Sequence, residues 1–289
     1  MRNSHIRLFR NKKGVSPAIS TIILFAAVIS MILVVMEYGN NFLNSGLAEN
    51  EFSGNKQFVQ TTGLQIDDVA WTNGRTQTVS YTSKYGALNF TQSALSYTIE
   101  FNTPTNLTFQ PIAQVGTGII LFNMPVRSYA LGNNYFERLP ASSNSSFMQV
   151  GSSVPVNQIL CEEKMPMSDG GFSRLAVVPT IRVINSTITG MQNQTSTNYF
   201  KFYLPVLQSG TNLYRSQSVS LTGNGISKIA YDNANQVRIN ATFPLQAAGF
   251  DSSFFKFNQI SQTINVATGA SDTVVEFYMG NVLVSIGQV

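Results

Sequence analysis

Apolar residues fall along this chain in two regimes. From 15 to 36 they run almost unbroken and without a charge, VSPAISTIILFAAVISMILVVM. A helix of about 22 residues rises about 33 Å, enough to cross a hydrocarbon core of about 30 Å. This predicts one membrane-spanning helix. After residue 60 the pattern changes to short runs of β-branched and aromatic residues, separated by turn residues.

The spacing predicts strands over 64–71, 75–81, 94–101, 118–124, 175–184, 199–207, 216–221, 236–243, 273–279 and 282–286. Asn73-Gly74 stands between the first two runs and Gly280-Asn281 between the last two. Each reads as a hairpin turn, because Asn and Gly accept positive φ. The segment 125–172 carries Pro140, Pro155, Pro166 and Gly170-Gly171. It reads either as a decorated loop region or as a join between two sub-domains. No repeat of fixed period is visible.

Between the two regimes, Leu43, Leu47, Phe52 and Phe58 are loosely spaced and Gly39, Gly46 and Gly54 interrupt them. The stretch 39–60 is either a helical extension of the span, to about residue 53, or a flexible linker.

Charge assigns direction. The 13 residues before Gly14, MRNSHIRLFRNKK, hold five of the 18 Lys+Arg and none of the 14 Asp+Glu. That leaves 13 bases against 14 acids from residue 15 onward, so the sequence pI of about 9.2 belongs to the leader. Positive residues flanking a first span stay cytoplasmic. The expected topology is N-terminus inside and C-terminal domain outside. The nearly neutral remainder offers no basic surface, and no nucleic-acid motif is present.

The order of the N-terminal parts separates two kinds of exported protein. A secretory signal peptide has a shorter apolar core followed by a small-residue cleavage site. Here the small residue, Gly14, comes before the apolar run, directly after Lys12-Lys13. The stretch Lys12-Lys13-Gly14-Val15-Ser16-Pro17-Ala18-Ile19 resembles the class III signal peptide of archaeal type IV pilin-like proteins. The resemblance covers about residues 10–38. It implies cleavage between Gly14 and Val15 by a prepilin-peptidase-like membrane protease. It further implies that the helix is an assembly element packing with other pilin-like subunits. The Glu that bacterial pilins usually carry at the fifth mature position is here Ile19, which fits the archaeal branch. The competing reading is an uncleaved signal anchor. Val15, Pro17, Ile19, Ala26 and Ser30 mark the membrane and assembly helix. Ser16 with Ser20, and Ala26 with Ser30, form small-x-x-x-small pairs of the kind that let helices approach closely.

Chemistry is thin elsewhere. The single histidine, His5, lies in the leader, so a processed chain has none. That excludes Ser-His-Asp and Cys-His catalysis and His-based zinc sites. Ser-Lys, paired-carboxylate and Thr-nucleophile chemistries stay formally open. The single cysteine, Cys161, rules out an intrachain disulfide. With Met165 and Met167 it offers either soft copper(I) ligands or core packing. Asp67-Asp68, Glu162-Glu163 and Asp169 lack EF-hand spacing, and solvated acids are the default against an irregular calcium site. On a strand, Asp67 and Asp68 point to opposite faces. Thr222-Gly223-Asn224-Gly225 reads as a turn and not a phosphate loop. No G-x-S-x-G elbow occurs. No catalytic residue, metal ligand or cofactor is assigned.

Six Asn-x-Ser/Thr sequons begin at Asn89, Asn106, Asn144, Asn185, Asn193 and Asn240, all beyond the span. They are candidate N-glycosylation sites on the exported side, although a chain this rich in Asn, Ser and Thr yields several by chance.

The expected architecture is mainly β. A basic leader (1–14) and a transmembrane helix (15–38) precede the extension or linker (39–60) and an antiparallel β-sandwich-like ectodomain (61–289). The expected function is that of a membrane-anchored archaeal-type pilin-like surface protein, not an enzyme. Without its leader the chain is long for a main filament subunit, so a minor or accessory subunit in assembly or adhesion fits better. The alternative is a monomeric signal-anchored binding protein, with an anchored surface enzyme last.

Overall fold

A computed structural model describes residues 17–140, 144–164, 171–189, 196–211, 213–214, 217–267 and 272–288. The chain divides into two units, Met1–Leu47 and Ala48–Val289. One helix, α1 (Pro17–Ala70), supplies the described part of the first unit and continues into the second. Its 54 residues make 39–60 the helical extension and not the linker, and carry it well past the expected end near residue 53. They correct the sequence reading at 64–71, which is not a strand. In the second unit the helix buries Phe52, Asn55, Val59, Thr62, Ile66 and Val69, three or four residues apart, which is the helical period. The Asn73-Gly74 turn therefore joins helix to strand, with Gly74 at φ +78, and makes no hairpin.

The second unit is mainly β. Its strands are β1 (Thr76–Ser80), β2 (Ala87–Asn102), β3 (Gln110–Pro125), β4 (Phe136–Leu139), β5 (Met148–Val150), β6 (Asn157–Lys164) and β7 (Phe172–Pro179). They continue with β8 (Ile181–Thr189), β9 (Ser196–Ser209), β10 (Leu213–Tyr214), β11 (Ser218–Asp232), β12 (Gln236–Thr242), β13 (Ser261–Asn265) and β14 (Asp272–Gln288). One sheet runs β1-β11-β14-β9-β8-β5, with β10 paired to β14; the other runs β13-β12-β2-β3-β7-β6-β4. Pairing is antiparallel except for β14 with β9, β5 with β8 and β10 with β14.

Most expected strands overlap observed ones, with four further corrections. The run 175–184 is two strands in different sheets, broken at Thr180. The two C-terminal runs are one strand, β14, and Gly280-Asn281 lies within it. Residues 222–225 are no turn but part of β11, where the register with β14 slips between Gly223 and Ile226. The segment 125–172 contributes β4, β5 and β6 to the same two sheets as its neighbours.

Two apolar clusters account for the long buried strands. Successive side chains of a strand face opposite ways. In β3, Ile119 and Leu121 join the cluster between the sheets, while Ile120, Phe122 and Met124 join a second cluster built on the helix. The first cluster is closed by a short helix, α2 (Ser252–Phe255), whose Phe254 and Phe255 are fully buried. Asp251 caps it, its Oδ1 accepting the Ser253 and Phe254 N–H groups at 2.9 and 3.1 Å.

Candidate membrane helix and the seat of its second half

From Pro17 to Met36 the helix is apolar and exposed, and from Glu37 to Leu47 it turns more polar and stays largely exposed. Ile22, Leu24, Phe25, Met31 and Val34 are each about two-thirds accessible, and none of the most apolar stretch is buried. Among the described residues this is the one helix long and apolar enough to cross a membrane. Pro17 opens it, where a missing N–H costs nothing. Its polar side chains are partly self-satisfied. Thr21 Oγ1 donates to the Pro17 carbonyl at 2.7 Å and Ser30 Oγ to the Ala26 carbonyl at 2.8 Å. In hydrocarbon an unpaired donor is costly, so this bonding suits the segment to lipid.

Ile19 is half exposed, and Ala26 and Ser30 lie one turn apart on open helix surface. Gly14 and Val15 fall outside the described residues.

Within the β unit the second half of the helix is held by charge and amide groups as well as by packing. Glu51 is buried. Its Oε2 accepts from the Lys84 N–H at 3.0 Å, its Oε1 from the Gly86 N–H at 3.0 Å, and both oxygens from the Tyr85 N–H. One turn on, Asn55 Nδ2 donates to the Thr82 carbonyl at 2.7 Å. The connection between β1 and β2 is thereby wrapped onto the helix. Lys56 Nζ reaches Glu137 Oε2 on β4 at 3.1 Å, where the Tyr135 hydroxyl also donates at 2.8 Å. The Tyr135 hydrogen bond, followed by that of Lys56, holds the Glu137 carboxyl below its ordinary range despite partial burial.

Farther along, Asn157 Nδ2 donates to the Gly63 carbonyl at 2.7 Å. Asp67, on the last turns of the helix rather than on a strand, takes both guanidinium nitrogens of Arg182 at 2.9 and 3.1 Å and the Trp71 indole N–H at 2.8 Å. Asp68 pairs with Arg75. Beside this group the outer side chains of the first sheet form a ladder. Tyr203 and Tyr278 stack at 5.1 Å, with Arg182 over one ring and Lys228 over the other. Lys228 in turn pairs with Glu276 at 2.6 Å.

The helix end rests on bare backbone. A Cβ at Gly223 would stand 2.3 Å from the Thr72 carbonyl oxygen, and one at Gly280 would stand 2.4 Å from that of Ala70. These glycines mark where two strands pass directly beneath the helix terminus, a role the sequence reading assigned to turns.

The remaining candidate residues do not converge. Cys161 is buried in the helix cluster, and burial pushes its thiol up to about 12. Met165, Met167 and Asp169 fall outside the described residues. Glu163 accepts from the Leu131 and Gly132 N–H groups and from Ser173 Oγ. Among the described residues no group of three or more His, Cys, Asp or Glu is placed to hold a metal ion. Of the sequons, Asn89 and Asn185 are exposed on β2 and β8, Asn106 is exposed between β2 and β3, and Asn144 is exposed before β5. Asn240 is half-buried in β12 between Thr98 and Ser261. Asn193 falls outside the described residues.

Sequence reasoning passed over Glu51, Asn55, Asn157 and Lys56, the residues that join helix to strands. For Glu51 and Asn55 the signal was their four-residue spacing along α1; for Lys56 and Asn157 there was none. Comparison with protein-family models, with curated proteins and with solved structures finds no match.

Proposed function

We propose that the chain is a membrane-anchored, archaeal-type pilin-like surface protein, a minor or accessory subunit acting in assembly or adhesion. The observation that carries this reading is the apolar, fully exposed first half of α1, which begins at Pro17 immediately after Lys12-Lys13-Gly14-Val15-Ser16. In this reading a membrane peptidase that requires a small residue cuts after Gly14. The basic leader stays in the cytoplasm and the β unit lies outside. The helix then has two uses: it anchors the chain in lipid, and it packs against helices of other pilin-like subunits through surfaces such as Ala26 and Ser30. The β unit presents the contact surface, with glycans at some of the exposed sequons. No catalytic step is assigned.

The test is Gly14→Asp in the native host, read by intact mass, fractionation and recovery in sheared surface material. The expected result is a wild-type chain starting at Val15. The variant keeps its leader, remains in the membrane fraction and is missing from the sheared filaments. Identical mass shift, fractionation and surface exposure for the two proteins would overturn the pilin reading in favour of a plain anchor.

A further inference from the structure

Asn-Gly occurs twice in the chain, at Asn73-Gly74 and at Asn224-Gly225. This dipeptide carries a reaction that needs no enzyme. The main-chain nitrogen of the glycine attacks the side-chain amide carbon of the asparagine. A C–N bond forms and closes a succinimide ring, the bond to the amide nitrogen breaks, and ammonia leaves. Water then opens the ring at either carbonyl, giving aspartate or isoaspartate. Glycine is the favourable second residue because no Cβ crowds the attacking nitrogen.

The fold brings the two dipeptides to one place and treats them differently. The Gly74 N–H donates to the Gly223 carbonyl at 2.8 Å, and the Gly223 N–H donates to the Arg75 carbonyl at 2.9 Å. The nitrogen that must attack Asn73 is thus engaged as a donor. Asn224 and Gly225 lie one step beyond this contact. The register of β11 on β14 passes from Gly223 opposite Val282 to Ile226 opposite Gly280, leaving both residues without a ladder partner. Asn224 is exposed. Gly225 has φ +96, and a Cβ there would meet nothing within 4 Å.

We propose that Asn224 is a site of spontaneous deamidation and isoaspartate formation in the folded protein, and that Asn73 is spared by the hydrogen bond of its glycine. Isoaspartate adds one methylene carbon to the main chain directly after Gly223, whose Cβ position already lies 2.6 and 2.3 Å from the Val69 and Thr72 carbonyl oxygens at the end of α1. The strand backbone has no slack there, because the obstacles are main-chain atoms. Conversion therefore loosens the seat of the helix as the protein ages.

The experiment uses the full chain in detergent micelles, incubated at mildly alkaline pH and sampled over time. Peptide mapping by mass spectrometry and enzymatic isoaspartate methylation follow each dipeptide. The same chain in concentrated urea supplies each dipeptide's unfolded rate. The expected result is a folded-state rate at Asn73 about tenfold below its urea rate, the upper end of what one hydrogen bond that must open supplies. Asn224 stays within a few-fold of its own urea rate. Equal slowing at the two positions, or no slowing at either, or slowing at Asn224 alone, overturns the proposal.

Discussion

Glu51 grips Tyr85 through both carboxylate oxygens, which accept its main-chain N–H at 3.2 and 3.1 Å. The neighbouring Lys84 and Gly86 N–H groups point at the same carboxylate. Three consecutive amides of a loop are thus satisfied by one helical side chain. A buried amide left without its acceptor costs about 1–3 kcal/mol. Glu51→Ala is therefore expected to lower the unfolding free energy by at least about 2 kcal/mol. Chemical denaturation of the full chain in micelles measures it. Glu51→Gln retains one acceptor oxygen and is expected to fall between. An alanine variant as stable as wild type would mean that water replaces the carboxylate.

The pair Lys56–Glu137 sets a pH window. Glu137 is held below the ordinary carboxylate value by Tyr135 and then Lys56. Burial works against the Lys56 ammonium, but its hydrogen bond to Glu137 and the neighbouring charges outweigh that and raise it. A depressed carboxyl contributes stability above its unfolded value and loses it as pH falls through the folded one. A raised ammonium contributes below its unfolded value and loses it as pH rises through the folded one. The pair is thus worth most between the ordinary values of about 4 and 10, and fades on the acid side below about 4. Both side chains are about a third exposed, so the coupling is of order 0.5–1 kcal/mol. A double-mutant cycle with Lys56→Met and Glu137→Gln is expected to show this coupling at neutral pH and none near pH 2. Equal coupling at both would remove the ionic account.

Cys161 reports global opening. It lies fully buried among Ile159, Leu175 and Val177, and burial pushes its thiol up to about 12. Thiolate is the reactive form. Labelling by a thiol reagent at neutral pH is expected to be absent in the native protein and to rise with denaturant along the unfolding transition. Rapid labelling under native conditions would show local opening between α1 and β6.

Much of the fold was written in periodicity. The span was legible because an uncharged run of that length has few soluble interpretations, and the strands because β-branched residues cluster between turn residues. The errors fall where one residue type serves two ends. Gly63 and the β-branched Ile66 and Val69 disguised a helix whose buried positions, 52, 55, 59, 62, 66 and 69, kept helical spacing throughout. Gly223 and Gly280 read as turns because glycine permits turns, but here glycine admits a helix end close to the strand backbone. Such close approach is a tertiary fact with no local pattern. The joining residues were illegible for a similar reason, since Glu51 resembles any solvated acid until the loop at 84–86 folds over it.

The glycines permit one contrast that separates close approach from flexibility. At Gly280 an added Cβ meets the Ala70 carbonyl oxygen at 2.4 Å, and at Gly223 it meets that of Thr72 at 2.3 Å. Both obstacles are backbone, so relief requires the helix end to move away from the strands. Overpacking of this kind costs about 1–3 kcal/mol. At Gly54, inside the same helix, an added Cβ meets nothing within 4 Å. There alanine removes only the conformational freedom of glycine, and is expected to stabilise the helix by about 0.5–1 kcal/mol. Gly280→Ala and Gly223→Ala are thus expected to lower the melting temperature of the full chain, and Gly54→Ala to raise it. The two destabilising changes press on one helix end, so their double variant is expected to cost less than the sum of the singles. Strict additivity would place the two strains at independent sites. A rise in melting temperature for Gly280→Ala would show that the helix terminus does not rest on β14.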